Sequence, residues 1–382
     1  MKLKIALGAL LLVAVSIAVL TLNQPSVSSK KVHRIAVNLP LTGPISSWSG
    51  EYPNGLTMGI DDACAEFGID RSVFEIDVQD NGGNPTTALS VFERHKLSGF
   101  DAYISGTSDM SKAIANEIDE LPSPHLLACF DAFITEKNPN RLRLMPNYKV
   151  EGPKYAQYAV KRKAKRVFSV ILNNPAMEEQ FATFVDPELK KAGIQSTREV
   201  FDWGFTEYRL LAKKAKEFGA DLVLINGFAV QILPMIQALR EQNLVGDGNV
   251  LCVMDFIDLL YTDTPRDQLS GVAFIAPEYE LPSEGRVKSE WRTRYKLRFG
   301  KEPHYVPAFA YDTGYLFVLA HKNRGEIGKS AIVEQLPFQG IAGTISVDLE
   351  GDFNAKLGFV IVEPSGQLRI EGNTIEPAGV AR

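Results

Sequence analysis

The sequence predicts an α/β protein made of two lobes, each built on a doubly wound, mostly parallel sheet. Three observations carry this prediction. Apolar runs of strand length alternate with segments whose apolar residues recur at helical spacing, from residue 34 to residue 254. The first run, Ile35–Leu39, stops at Pro40 and opens into a polar loop carrying Thr42, Gly43, Pro44, Ser46, Ser47 and a single aromatic, Trp48. Once an apolar leader is set aside, about 350 residues remain, which is more than one ordinary core encloses.

The elements follow in order. Strand 34–39 leads into a helix over 53–67, because Leu56, Ile60, Ala63 and Phe67 recur on one helical face. Strand 73–79 closes on Asp80, Asn81, Gly82 and Gly83, after which Asn84 as cap and Pro85 at the first helical position start a helix over 85–98. Strand 100–105, helix 109–120 and strand 125–129 continue the alternation. Arg141–Met145 alternates polar and apolar residues, as a strand leaving the lobe does. The second series comprises helices over 150–162, 177–192, 206–218 and 229–242, with strands over 166–172, 195–200, 221–225 and 249–254. Alternating strands and helices of this kind put helices on both faces of a parallel sheet. Gly271–Tyr279 is predicted as a strand that returns the chain to the first lobe. An amphipathic basic helix over Ser289–Phe299, an apolar one over Val306–His321 and a short one over Ser330–Leu336 come next. Gly343–Asn354 and Leu357–Val362 then read as strand, Asp/Gly-rich turn and strand.

Composition and termini bound the function. Lys2 and Lys4 precede an almost wholly apolar run from Ile5 to Leu22, and Ser26, Val27, Ser28 and Ser29 supply small residues for cleavage, so residues 1–29 read as an export signal. If the run stays uncleaved, it is just long enough to anchor the chain in a membrane. The chain is therefore expected outside the cytoplasm, in the periplasm or an equivalent compartment. Losing Lys2 and Lys4 with no acidic residue moves the net charge from -5 to about -7, which argues against nucleic acid or an anionic membrane as partner. The basic run from Lys161 to Arg166 sits between a helix and a strand and reads as a solvated helix end. Cys64, Cys129 and Cys252 lack CxxC spacing and lie in apolar patterns, so each reads as a small buried hydrophobe; one disulfide stays open in an oxidising compartment. There is no GxSxG, HExxH or Walker A motif, and the five histidines show no metal-like spacing. Neither an enzyme nor a cofactor is predicted.

The strand, aromatic-bearing loop and helix of residues 34–67, followed by Asp77–Pro85 and its helix, resemble the opening of the type 1 periplasmic binding proteins. These are the leucine/isoleucine/valine-binding receptors of ABC transporters, and the resemblance extends over roughly residues 33–370. It implies that the chain crosses between lobes three times, near 146–150, 276–280 and 341–345, in a three-segment hinge. The resulting division is 30–147 plus 277–342 for lobe 1, 148–276 plus 343–370 for lobe 2, and a polar tail over 371–382. It also implies a receptor that binds a small polar solute, an amino acid or related carboxylate, between the lobes and hands it to a membrane permease. The same fold serves as the ligand-sensing partner of membrane signalling receptors, and as a non-catalytic interaction scaffold with a degenerate pocket.

The ligand-binding candidates are Trp48, Thr107, Ser108, Asp131, Phe228 and Asp255. Gly106 permits close backbone approach, while Thr107 and Ser108 place hydroxyls and N–H groups at a helix start, which suits either an anion or ordinary capping. In the family this loop holds a ligand carboxylate. Asp255 follows the strand ending at Met254, the place where the family's amino-acid receptors meet an ammonium group. Phe228 matches a position where relatives set an aromatic ring against the ligand, and Trp48 supplies an apolar wall. The chain departs from the family where small residues usually follow the strand ending at Cys129. Phe130 and Phe133 reshape the pocket there, and Asp131 repels a carboxylate or pairs with a second cation. The stretch Asn173–Met177 also lacks the tyrosine common in amino-acid receptors.

Overall fold

A computed structural model describes residues 31–43, 45–282, 286–354 and 356–371. Five parallel strands form the first sheet in the order β2-β1-β3-β4-β5: β1 (His33–Leu39), β2 (Phe74–Asp80), β3 (Ala102–Gly106), β4 (His125–Ala128) and β5 (Arg141–Leu142). β1 is central, paired with β2 from His33↔Phe74 to Leu39↔Asp80 and with β3 from Ile35↔Ala102 to Asn38↔Ser105. That register brings the carboxyl ends of neighbouring strands to one edge, where their loops meet.

The second sheet runs β14-β13-β10-β9-β8-β6-β7. Its parallel members are β6 (Arg166–Leu172), β7 (Gln195–Phe201), β8 (Leu222–Asn226), β9 (Val250–Cys252) and β10 (Val272–Pro277). β13 (Leu357–Val362) and β14 (Leu368–Ile370) close one edge antiparallel. Phe338–Gln339 and Thr344–Ile345, β11 and β12, form a separate small ribbon.

Helix Pro85–Ser98 and strand Arg166–Leu172 occupy the residues predicted for them. Three expectations change. The strand expected over Arg141–Met145 ends at Leu142, because Arg143 turns inward to Asp352 and its N–H donates to Gly351 O (2.9 Å). The helix expected over 177–192 starts at Pro175 and is interrupted by a π turn over Phe181–Val185. Pro187 follows and has no N–H for the carbonyl four residues back, so the regular ladder cannot run through it. The strand near 271–279 is part of the second sheet, and the chain leaves it at Glu278.

Helix Tyr305–Arg324 packs on helix Tyr52–Phe67, and glycines make their approach close. A Cβ on Gly55 would fall 2.1 Å from Pro307 O, one on Gly59 2.0 Å from Tyr311 O, and one on Gly314 2.3 Å from Leu56 O. Gly59→Ala is therefore expected to destabilise the fold by about 1–3 kcal/mol as the helices are pushed apart. Urea unfolding reads this directly, and an unchanged midpoint would show that the helices part without cost.

Candidate functional site

A cavity of about 420 Å³ lies where the carboxyl-terminal loops of both sheets converge. The first sheet contributes Trp48 after β1, Gly82 and Gly83 after β2, Thr107–Met110 after β3 and Phe130 after β4. The second contributes Asn173, Asn174 and Met177 after β6, Trp203 after β7, Phe228 after β8 and Asp255 after β9; Tyr148 joins them from the start of helix Tyr148–Lys161. Open α/β sheets bind ligands at this end of their strands.

One part of the wall is backbone. Thr107 has φ 64° and ψ 152°, an uncommon conformation for a β-branched residue that costs on the order of 1–3 kcal/mol and is retained where the surroundings impose it. Its N–H donates to Ala128 O (2.9 Å), while its Oγ1 is buried with no hydrogen-bond partner among the described residues. It precedes helix Ser108–Ile118 without capping it, so the first-turn N–H groups stay uncapped by that side chain beside the cavity. Ser108 Oγ accepts the N–H of Asp131 (3.1 Å). Asp109 Oδ2 accepts from Asn174 Nδ2 at 3.1 Å, one hydrogen bond that reaches from the loops of one sheet to those of the other. Ser47 Oγ makes a second, donating to Asp258 Oδ2 (3.0 Å).

Asp255 is only 4 % exposed, in the 3-10 turn Met254–Leu260. Burial first, then the charges of Asp258 and Glu151, push its carboxyl well above the usual carboxylate range. Among the described residues no Lys or Arg pairs with it. Asp258 is pushed up to about 6 by burial against its bond from Ser47. Behind them, Glu151 accepts from Met254 N (3.0 Å) and from Gln180 Nε2 (3.0 Å), and Gln180 Oε1 accepts from Asn226 Nδ2 (2.6 Å). Burial nevertheless pushes Glu151 from 4.5 up to about 7.

A carboxyl raised on folding contributes stability that is fully present below its unfolded value and is lost as pH rises through its folded value. Glu151→Gln carries no such loss. Turning over the Gln180 and Asn226 amides re-pairs the chain, since Asn226 Oδ1 has no partner among the described residues. The variant should therefore gain on the parent between pH 4.5 and 7.5, by at most about 1.4 kcal/mol per pH unit. Parallel stability curves across that window would show that Glu151 ionises freely in the folded protein.

The apolar lining is aromatic. Trp48 Nε1 donates to Tyr305 OH (3.0 Å), which fixes its ring 6.2 Å from that of Phe130; Phe130 in turn lies 5.5 Å from Tyr148. Across the cavity, Trp203 meets Phe228 edge-on at 5.5 Å.

Of the residues singled out in the sequence, Trp48, Thr107, Ser108, Phe228 and Asp255 line the cavity. Asp131 does not. Lys112, one turn into helix Ser108–Ile118, pairs with its Oδ2, and its Oδ1 accepts from Phe133 N (3.1 Å). Phe133 also lies elsewhere, stacked on Phe184 at 5.8 Å. Sequence reasoning missed Tyr148 and Trp203. Trp203 sits beside Gly204 in a loop just after a strand, the same signal that marked Trp48. The residues expected at the export signal lie outside those described. Cys64, Cys129 and Cys252 are each buried and unpaired.

A family model of periplasmic binding proteins matches residues 33–357. No curated protein sequence compared with this chain matches it. Among solved structures, the chain is similar to the leucine-binding protein LivK of Thermotoga maritima, with 23% identity over 89% of this chain and 98% of that one, at a TM-score of 0.74. It is similar to LivJ of Streptococcus pneumoniae, solved with isoleucine, with 17% identity over 89% and 99% of the two chains and a TM-score of 0.77. A solute-binding protein of an ABC transporter from Rhodopseudomonas palustris, solved with 3,4-dihydroxybenzoic acid, shares 18% identity over 88% and 95%, with a TM-score of 0.73. The two-lobed type 1 periplasmic binding protein fold expected from the sequence is thus present, in a setting that binds solutes and does not transform them. The chain belongs to the periplasmic binding protein family.

Proposed function

We propose that this chain is the exported solute receptor of an ABC-type importer, and that its solute is a small polar molecule bearing an ammonium group, the class that includes amino acids. The observation that carries this reading is Asp255, buried, without a cationic partner among the described residues and set in the wall of a cavity built by loops of both sheets. A carboxylate in that position is costly until a cation reaches it. The solute would touch both lobes at once and so favour the closed arrangement by its differential affinity, with Ser47–Asp258 and Asn174–Asp109 as cross-cleft bonds of that arrangement. Delivery to a membrane permease and an extracytoplasmic location complete the reading, with residues 1–29 as the export signal.

The test is thermal unfolding of the protein against amino acids, amides, amines and carboxylic acids. A solute present at a hundred times its dissociation constant stabilises by about 2.7 kcal/mol. Stabilisation confined to amine-bearing compounds supports the reading. Stabilisation only by compounds without an amine removes Asp255 from its assigned place.

A further inference from the structure

The charge balance of the cavity narrows the solute class further. Its described lining includes two carboxylates, Asp109 and Asp255, and no Lys, Arg or His. Five aromatic rings line the same cavity: Trp48, Phe130, Tyr148, Trp203 and Phe228. Ring faces and carboxylates both attract cations, and both become stronger attractors as water is excluded.

The place suited to a ligand carboxylate is compromised by this chain's own residues. Asp109 stands in the first turn of helix Ser108–Ile118, so its charge already complements the positive end of the helix dipole. The Asn174 side chain is occupied at both ends, its Nδ2 on Asp109 and its Oδ1 on the N–H groups of Ala176 and Met177. Ser108 Oγ is engaged by Asp131 N. The Tyr148 phenol is raised by burial first and then by the charges of Asp255, Glu151, Asp109 and Asp131, which marks this region as negative. A zwitterion would bring its carboxylate against Asp109.

Building on the solute-receptor reading, we infer that the solute is an organic cation without a carboxylate. It is a primary or methylated ammonium on an apolar or aromatic body, its charge facing Asp255 and Asp109 and its body against the rings of Trp48, Phe130, Trp203 and Phe228. The exposed Trp203 (48 %) forms the outer edge of this aromatic wall and pre-organises it through its edge contact with Phe228.

Calorimetric titration of the protein with phenethylamine, choline, phenylalanine and hydrocinnamate tests this. Phenethylamine or choline should bind at least about 10-fold more tightly than phenylalanine, with hydrocinnamate silent; which of the two cations wins separates an aromatic amine from a methylated ammonium. Asp109→Asn, at an exposed position, should weaken the cation and strengthen phenylalanine, a reversal that misfolding does not produce. Phenylalanine binding more tightly than phenethylamine, with Asp109→Asn leaving their ratio unchanged, overturns the inference and keeps the receptor. Hydrocinnamate as the tightest binder overturns both the inference and the role of Asp255. Silence from all four while another amino acid stabilises the protein overturns the inference alone; silence from the broader panel as well removes the receptor reading too.

Discussion

Asp255→Asn should remove binding of ammonium-bearing solutes while making the solute-free protein more stable above neutral pH. Truncating one partner of a buried charge pair costs about 2–5 kcal/mol of binding, a weakening of about 30-fold to several thousandfold. The stability gain has the same origin. The folded carboxyl is held well above its ordinary value by burial, by Asp258 and by Glu151. Its contribution to stability is therefore full only below the unfolded value and is lost as pH rises through the folded one. At pH 8 the parent carries that loss, whereas an isosteric amide carries none. Calorimetry with the best solute, beside urea unfolding at pH 5 and pH 8, separates the two effects. Affinity equal to the parent's would sink the assignment of Asp255, and a joint fall in affinity and stability would show a structural residue.

Arg143→Met should be the most destabilising single change outside the cavity. Arg143 follows β5 and is 0 % exposed. Its Nε and Nη2 donate to the two oxygens of Asp352, each at 2.7 Å, and its Nη1 donates to the carbonyls of Cys129 (2.9 Å) and Asp131 (2.5 Å). Asp352, 1 % exposed, also accepts from Asn147 Nδ2 (2.7 Å) and Thr135 Oγ1 (3.1 Å). The pair ties the segment that leaves the first sheet to the segment between β12 and β13. Removing the guanidinium strands a buried carboxylate, at a cost of about 3–5 kcal/mol. Replacing both partners, Arg143→Met with Asp352→Leu, should cost less than the sum of the single changes, because no charge is then left unpaired. Denaturant midpoints for the two singles and the double close the cycle. Strict additivity would show that the two side chains act independently.

The same residues mark how far sequence reasoning reached. Asn84 and Pro85 announced a helix start through chemistry local to four or five residues, and the helix begins at Pro85. Arg143 was read as one polar position in an alternating strand, because its partner Asp352 is 209 residues away in the chain and no local pattern records it. Asp131 was assigned to the pocket because it follows a strand, yet a Lys112 side chain from the neighbouring helix claims its carboxylate.

What the sequence determined by itself is the alternation of strands and helices, the parallel sheets this implies, and the strand-end loops holding Trp48, Thr107, Ser108, Phe228 and Asp255. Those properties follow from period, caps and apolar runs, all of which act over a single element. Only the tertiary structure decided that Tyr148 and Trp203 join the cavity, that Asp131 leaves it, and that Asp255 is buried with no cation beside it among the described residues. Those outcomes depend on which loops the two sheets bring face to face, and on the loss of water there, and distance along the chain encodes neither.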